Sequence, residues 1–315
     1  MDRKDKKNFW SPLHWAAFAG QVEKMKILLK HGADPFVLSN LDFNIIHSAV
    51  ESKLGDGLAG ALEIWKLYPQ KLDINQRNTW GETALHMAAF SSEASVRLLL
   101  EAGADVDVQQ EDGQVPLHSV GLSGQSSADK QKIVSLLCSV QSMKHVNIQD
   151  NEGRSPVFEY LDETECIETI VQHGARLDLL DTMGKTVLHY TCIQDKSDTL
   201  GTVLRLAAEP TIATATGHDR TTPLMEALVH GSRKCAMILL NLEDVGETID
   251  NYGWSVAHYA AKNGDSEVLE AVLRHPSFTR GVRTLEGKSL EMVAMEASTW
   301  SGSVKSLIRK YDTIM

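Results

Sequence analysis

Residues 81–105 read GETALHMAAFSSEASVRLLLEAGAD. Gly81 and Glu82 suit a turn, Thr83 stands where a hydroxyl caps a helix, and Ala84 through Phe90 carry mostly small or apolar side chains. Beyond the polar pair Ser91–Ser92 a second stretch places Val96, Leu99 and Leu100 at helical spacing. Gly103 then supplies the left-handed residue that stops a helix. The stretch predicts a helix, a short connection, a second helix and a stop. So short a unit cannot bury its own apolar face and needs a neighbour of the same kind.

Neighbours are present along the chain. The column marked by His86 recurs as His14 in SPLHWAAFAG, His47 in NIIHSAV, His118 in QVPLHSVGL, His189 in KTVLHYTCI and His258 in WSVAHYAAKNG. Diverged copies place Phe158, Met225 and Met292 in the same column. Successive anchors lie 33, 39, 32, 40, 31, 36, 33 and 34 residues apart. Amphipathic segments follow most of them: VEKMKILLKHGAD, KIVSLLCSV, CIETIVQHGARLD, KCAMILLNLE, EVLEAVLRH and SVKSLIRKY. Ser or Thr, often with Pro next to it, precedes the anchors, as at Pro12, Pro116 and Pro223, where a missing N–H costs a helix nothing. Gly32 and Gly174 repeat the stop at Gly103.

A turn, TPLHxAA on a first helix, VxxLL on a second and a closing GAD resemble the ankyrin repeat, over about residues 7 to 315. The resemblance implies an all-α fold, an ankyrin-repeat solenoid of stacked helix-turn-helix pairs with short β-hairpin or turn connections. The chain then reads as a single ankyrin-repeat domain, 1–315, with repeats at 7–39, 40–77, 78–110, 111–150, 151–180, 181–216, 217–250, 251–284 and 285–315. Stacking should bury Leu13, Leu85, Leu117 and Leu188 and the paired alanines Ala16, Ala17, Ala88, Ala89, Ala260 and Ala261. Extra residues around KLGDGLAG and GLSGQSSADK read as surface loops between the two helices of their repeats.

Composition narrows the function. Hydrophobic residues make up 43% and charged ones 23%, with a net charge of -11. Acidic balance disfavours nucleic acid, which is held by Lys and Arg on phosphates, and favours basic partners. No apolar run approaches the roughly 18 residues of a membrane span. The mixed-charge start MDRKDKKNFW has no signal-peptide core, and RKDKK reads as a solvated tip. Cys138, Cys166, Cys192 and Cys235 lack CxxC spacing and read as reduced, buried thiols of a cytoplasmic or nuclear monomer.

Six of the twelve histidines stand in the anchor column. Neighbouring repeats lie roughly 10 Å apart, whereas metal ligands converge to about 2 Å of one point. The column therefore reads as structural, each imidazole bridging turn backbones, and the ankyrin resemblance implies the same. No metal, cofactor or catalytic residue is expected; DETE at 162–165 lacks the ligand spacing of a calcium loop. Leu67, Asp73, Ile74 and Asn75 resemble the pattern that asparaginyl hydroxylases of the hypoxia pathway recognise in ankyrin domains, with Leu99, Asp105, Val106 and Asp107 as an Asp version; the pattern reads first as the repeat's own consensus.

In ankyrin proteins partners touch the hairpin tips and first-helix ends on the concave face. Carried over by offset from the anchor, this predicts contact residues Trp10, Phe18, Phe43, Trp80 and Phe90, the acidic Asp112, Glu152 and Asp162, and a second aromatic pair, Tyr252 and Trp254. The expected partner is a protein segment with an apolar anchor beside a basic stretch. The expected role is a scaffold or adaptor without catalysis. The alternative is the recruiting domain of a larger enzyme or ubiquitin-ligase complex.

Overall fold

A computed structural model describes residues 9–51, 55–68, 72–141, 144–207, 210–243, 245, 248–279 and 281–312. The start RKDKK and residues 52–54 of the first expected loop lie outside them. The chain divides into two compact units, the first running to Tyr160 and including residues 172–175, the second holding 161–171 and everything from Arg176.

The first unit contains α1 (Pro12–Phe18), α2 (Val22–Lys30), α3 (Ile45–Glu51), α4 (Gly55–Leu67), α5 (Ala84–Ser91), α6 (Glu93–Glu101), α7 (Pro116–Leu122) and α8 (Ser127–Cys138), then a 3₁₀ turn at Pro156–Tyr160. The odd-numbered helices pack on one another in chain order, and so do the even-numbered ones. In the second unit α9 (Thr164–Gln172) lies mostly within it, followed by α10 (Val187–Ile193), α11 (Ser197–Leu206), a 3₁₀ turn at Pro210–Thr214, α12 (Pro223–His230), α13 (Arg233–Leu239), α14 (Val256–Asn263), α15 (Ser266–Arg274), α16 (Leu290–Glu296) and α17 (Gly302–Asp312). Here α10, α12, α14 and α16 form one row, and α11, α13, α15 and α17 the other. The connections are turns; among the described residues the one β-bridge is Ile249 to Ser255.

Local chemistry places these helices. Ser11, Ser126, Thr222 and Ser289 accept N–H groups of their first turns, and Asn44 does this for α3. Pro12, Pro116 and Pro223 stand in first turns. Gly32, Gly103 and Gly174 all have φ near +90° and end their second helices as expected. The named leucines and alanines are all buried, Leu13, Leu188, Ala17, Ala88, Ala89 and Ala261 completely.

Two expectations need correcting. Most of KLGDGLAG is helix, because α4 begins at Gly55, and Leu58 is buried. Glycine is a poor helix former, but here closeness matters more than propensity. A Cβ on Gly57 would lie 2.4 Å from the Ala17 carbonyl oxygen, and one on Gly60 2.7 Å from Val22. The second expected loop, GLSGQSSADK, shrinks to residues 123–126, since α8 starts at Ser127 under the Ser126 cap.

The fifth repeat has a 3₁₀ turn in place of a first helix, locked by Tyr160. This ring is fully buried and its hydroxyl donates to the Leu117 carbonyl at 2.6 Å. Tyr160→Phe removes the donor and leaves that carbonyl dry, so it should lower the stability of the first unit by about 1–2 kcal/mol. Urea unfolding measures this; an unchanged midpoint would mean that Leu117 finds another donor.

Candidate interaction surface

The anchor histidines set the spacing of the surface. In the first unit the Nδ1 of His14, His47, His86 and His118 accepts the backbone N–H three residues earlier, at 3.1 to 3.4 Å. Each Nε2–H donates forward to a carbonyl of the next turn: Phe43 at 2.9 Å, Glu82 at 3.3 Å, Gln114 at 3.1 Å and Arg154 at 3.1 Å. In the second unit His189 does the same to Thr221, at 3.2 Å. His258 keeps the backward half with Ser255, while its Nε2 faces the Lys288 backbone outside hydrogen-bond geometry. With both nitrogens of the first five engaged, these rings are clamps, and burial holds the pKa values of His47, His86, His118 and His189 below the usual imidazole range, His47 and His86 at about 4.

A second column, eight residues before the anchor, aims the tips. Asn78 Oδ1 accepts N–H from Trp80 and Glu82, both at 2.9 Å. Asp150 does this for Glu152 and Arg154, Asp181 for Met183 and Lys185, and Asp250 for Tyr252 and Trp254. Ser39 serves Leu41 and Phe43. These Asx-type turns fix where each tip residue points. Tip backbones are also linked in series: Thr79 N–H to the Leu41 carbonyl, Glu111 to Trp80 and Asn151 to Asp112 in the first unit. In the second, His218 bonds to Met183, Asn251 to Asp219 and Leu285 to Tyr252. The sequence reading missed this column; its signal is the recurrent Ser, Asn or Asp at 39, 78, 150, 181 and 250.

The predicted contact residues divide between the units. Trp80, Phe90, Asp112 and Glu152 are exposed in the first, where Phe18 is half-buried. Tyr252 is exposed in the second and Trp254 half-buried, beneath the Lys262 ammonium 5.2 Å from its ring. Two residues are not on the surface: Trp10 and Phe43 are each only 5% exposed. The cause is shared. A ring four residues before the anchor folds back onto its own repeat: Trp10 packs against Trp15 at 4.8 Å and Phe18 at 5.5 Å, and Phe43 stacks on His47 at 5.3 Å. Trp254 leans on Tyr259 at 5.1 Å in the same way. Asp162 is exposed, but pairs with Lys196 inside the second unit, and Glu152 pairs with Arg154 at 3.1 Å.

In the first unit the surface therefore has two parallel rows. The tips run Leu41, Trp80, Asp112, Glu152, apolar and then acidic. The first-helix ends run Phe18, Glu51, Phe90, Leu122. Trp80, Phe90 and Leu122 are each about half exposed, at 50%, 52% and 50%. Asn75 is inward-working: its amide oxygen accepts the Asp105 N–H at 2.9 Å, a link between repeats. The four cysteines are buried and outside any disulfide, and Cys192, hydrogen-bonded to Cys235 and desolvated, is held as a thiol.

Clamp, turn and stop recur along the chain, and known sequences are similar to it. The family model for ankyrin repeats in three copies matches residues 57–142 and 200–280, and that for the single ankyrin repeat matches 8–40. The chain is an ankyrin-repeat protein. It is 34% identical over 132 residues to the Saccharomyces cerevisiae protein named "Probable 26S proteasome regulatory subunit p28", covering 40% of this chain and 55% of that one. It is 36% identical over 124 residues to Palmitoyltransferase AKR1 of Lachancea kluyveri, covering 39% and 17%. A longer match, 28% over 323 residues, is to the human transient receptor potential cation channel subfamily A member 1, covering 85% and 28%. The crystal structure of the Bcl-3 ankyrin repeat domain superposes with a TM-score of 0.60 at 22% identity, over 74% of this chain and all but 1% of that one. The ankyrin chain thus spans little more than half, or much less, of these curated relatives. Among its described residues no helix is long and apolar enough to cross a membrane.

Proposed function

We propose that this ankyrin-repeat chain is a non-catalytic adaptor that holds partner proteins on the tips and first-helix ends of its first unit. The observation that carries this reading is the pairing of exposed Trp80 and Phe90 with the acidic tips Asp112 and Glu152 on backbone that is already fixed by hydrogen bonds. Large exposed rings on a rigid frame lose little entropy on binding and are the side chains enriched at interface hot spots. The net charge of -11 and the acidic tips favour a partner segment in which an apolar side chain precedes basic ones. Buried cysteines outside any disulfide support a reducing compartment, the cytoplasm or nucleus. Relatives as different as a palmitoyltransferase, a channel and a proteasome subunit share the repeats, which supports a binding module and leaves the partner open. Tyr252 and Trp254 offer a second, smaller contact on the other unit.

The test is affinity capture from the native cell with quantitative mass spectrometry. Trp80→Ala combined with Phe90→Ala should deplete the specific partners at least tenfold, about 1.4 kcal/mol or more, while Tyr252→Ala depletes fewer. Retention of every partner by the double variant would refute the surface.

A further inference from the structure

Between α3, α5 and α7 of the first unit lies a groove of about 360 Å³, lined among others by Val50, Glu51, Glu82, Met87, Phe90 and Leu122. We propose that this groove seats one lysine or arginine side chain of a partner segment, flanked by apolar residues, with Glu51 as its counter-ion; this rests on the adaptor reading above. The lining has two charged groups, both carboxylates, and no Lys or Arg. Glu82 is already occupied, its Oε2 accepting the Asn78 amide at 2.8 Å. The Glu51 carboxylate has no hydrogen bond or ion pair among the described residues, and desolvation raises its pKa.

The shape selects the occupant. Glu51 stands between Phe18 and Phe90 in the row of first-helix ends, and the Phe90 ring lines the groove with it. A long basic side chain suits this: its methylenes cover Met87 and Leu122, and its charged end meets the carboxylate beside an aromatic face. A divalent metal is a poorer fit, because it needs six or more oxygens and one carboxylate here is engaged. An acidic segment would add repulsion. Inside the groove a second cation would find no other disengaged carboxylate, and the further basic residues of such a segment belong to the acidic tips outside it. One cation between apolar neighbours is the complement.

Random peptide display on the immobilised 315-residue chain tests this, with selections repeated on Glu51→Gln and Trp80→Ala. Glu51 is exposed, so equal urea midpoints should confirm that the variant is folded. The wild type should enrich peptides with a single Lys or Arg next to Leu, Ile or Phe, and Glu51→Gln should reduce that basic enrichment at least tenfold while keeping the apolar preference. Selection of the same basic motif by Glu51→Gln, or of no basic motif by the wild type, would overturn the inference. Peptides lost on Trp80→Ala but untouched by Glu51→Gln would leave the adaptor surface standing and remove the groove proposal alone. Peptides indifferent to both variants, or none at all, would remove both.

Discussion

Lowering the pH from 7 to about 4 should strip most of the stability from the first unit. His47 and His86 sit at about 4 in the folded chain, chiefly through burial, against 6.5 when unfolded. The folded state binds fewer protons than the unfolded state between those values, so stability is complete above about pH 6.5 and falls as protons enter the unfolded chain. Each of the two rings contributes about 3 kcal/mol over this window, from ~1.36 kcal/mol per pH unit. Their sum is comparable to the roughly 5–15 kcal/mol that holds a whole domain together. His118 in the same unit, and His189 and His258 in the other, are lowered in the same direction by burial. Glu159, raised by burial, works the opposite way at the acid end. Urea midpoints at pH 7, 6 and 5 measure the slope, and His86→Gln should flatten it while costing stability at pH 7. A flat profile from pH 7 to 5 would show that the clamp is solvated and its rings are ordinary.

The second large effect belongs to the other unit. Removing Glu226 should cost it about 3–5 kcal/mol, the usual result of orphaning one half of a buried ion pair. Glu226 is 6% exposed on α12, and Lys185 reaches it across a repeat boundary at 2.7 Å. Thr221 donates to the same carboxylate oxygen at 3.0 Å, and His230 stands 3.6 Å from the other. This cluster lies beside Met225, where the anchor has no ring nitrogens to offer. Glu226→Ala strands the Lys185 ammonium, and Lys185→Met strands the carboxylate. Either alone should lower the urea midpoint strongly, and Lys185→Met with Glu226→Leu should recover most of the loss, because an apolar pair leaves no stranded charge. Strict additivity of the single losses would rule out coupling.

The contrast between these two devices shows how much was legible in the sequence. Histidine at a period near 33 gave away both the fold and the clamp, because a side chain bridging adjacent repeats must recur once per repeat. Glu226 and Lys185 carry no periodic signal, since they solve a local problem in one diverged repeat. The helices α4 and α11 escaped notice for a related reason: glycines in GDGLAG and SDTLGTV weaken helix propensity. In α4 the preceding repeat makes the small size of Gly57 and Gly60 useful, whereas Gly201 of α11 faces open space.

For the candidate surface, sequence by itself determined the composition of each row, since offset from the anchor follows from the repeat. The tertiary structure decided which members face water. Trp10, Phe43 and Trp80 all read as exposed aromatics in the sequence, yet the first two, four residues before their anchors, close onto rings of their own repeats. Trp80 is held outward by the Asn78 turn and remains half exposed. Burial of a ring depends on what lies within about 4–5 Å of it in space, and that distance is set only when the chain folds back on itself, not by the ring's place in the sequence.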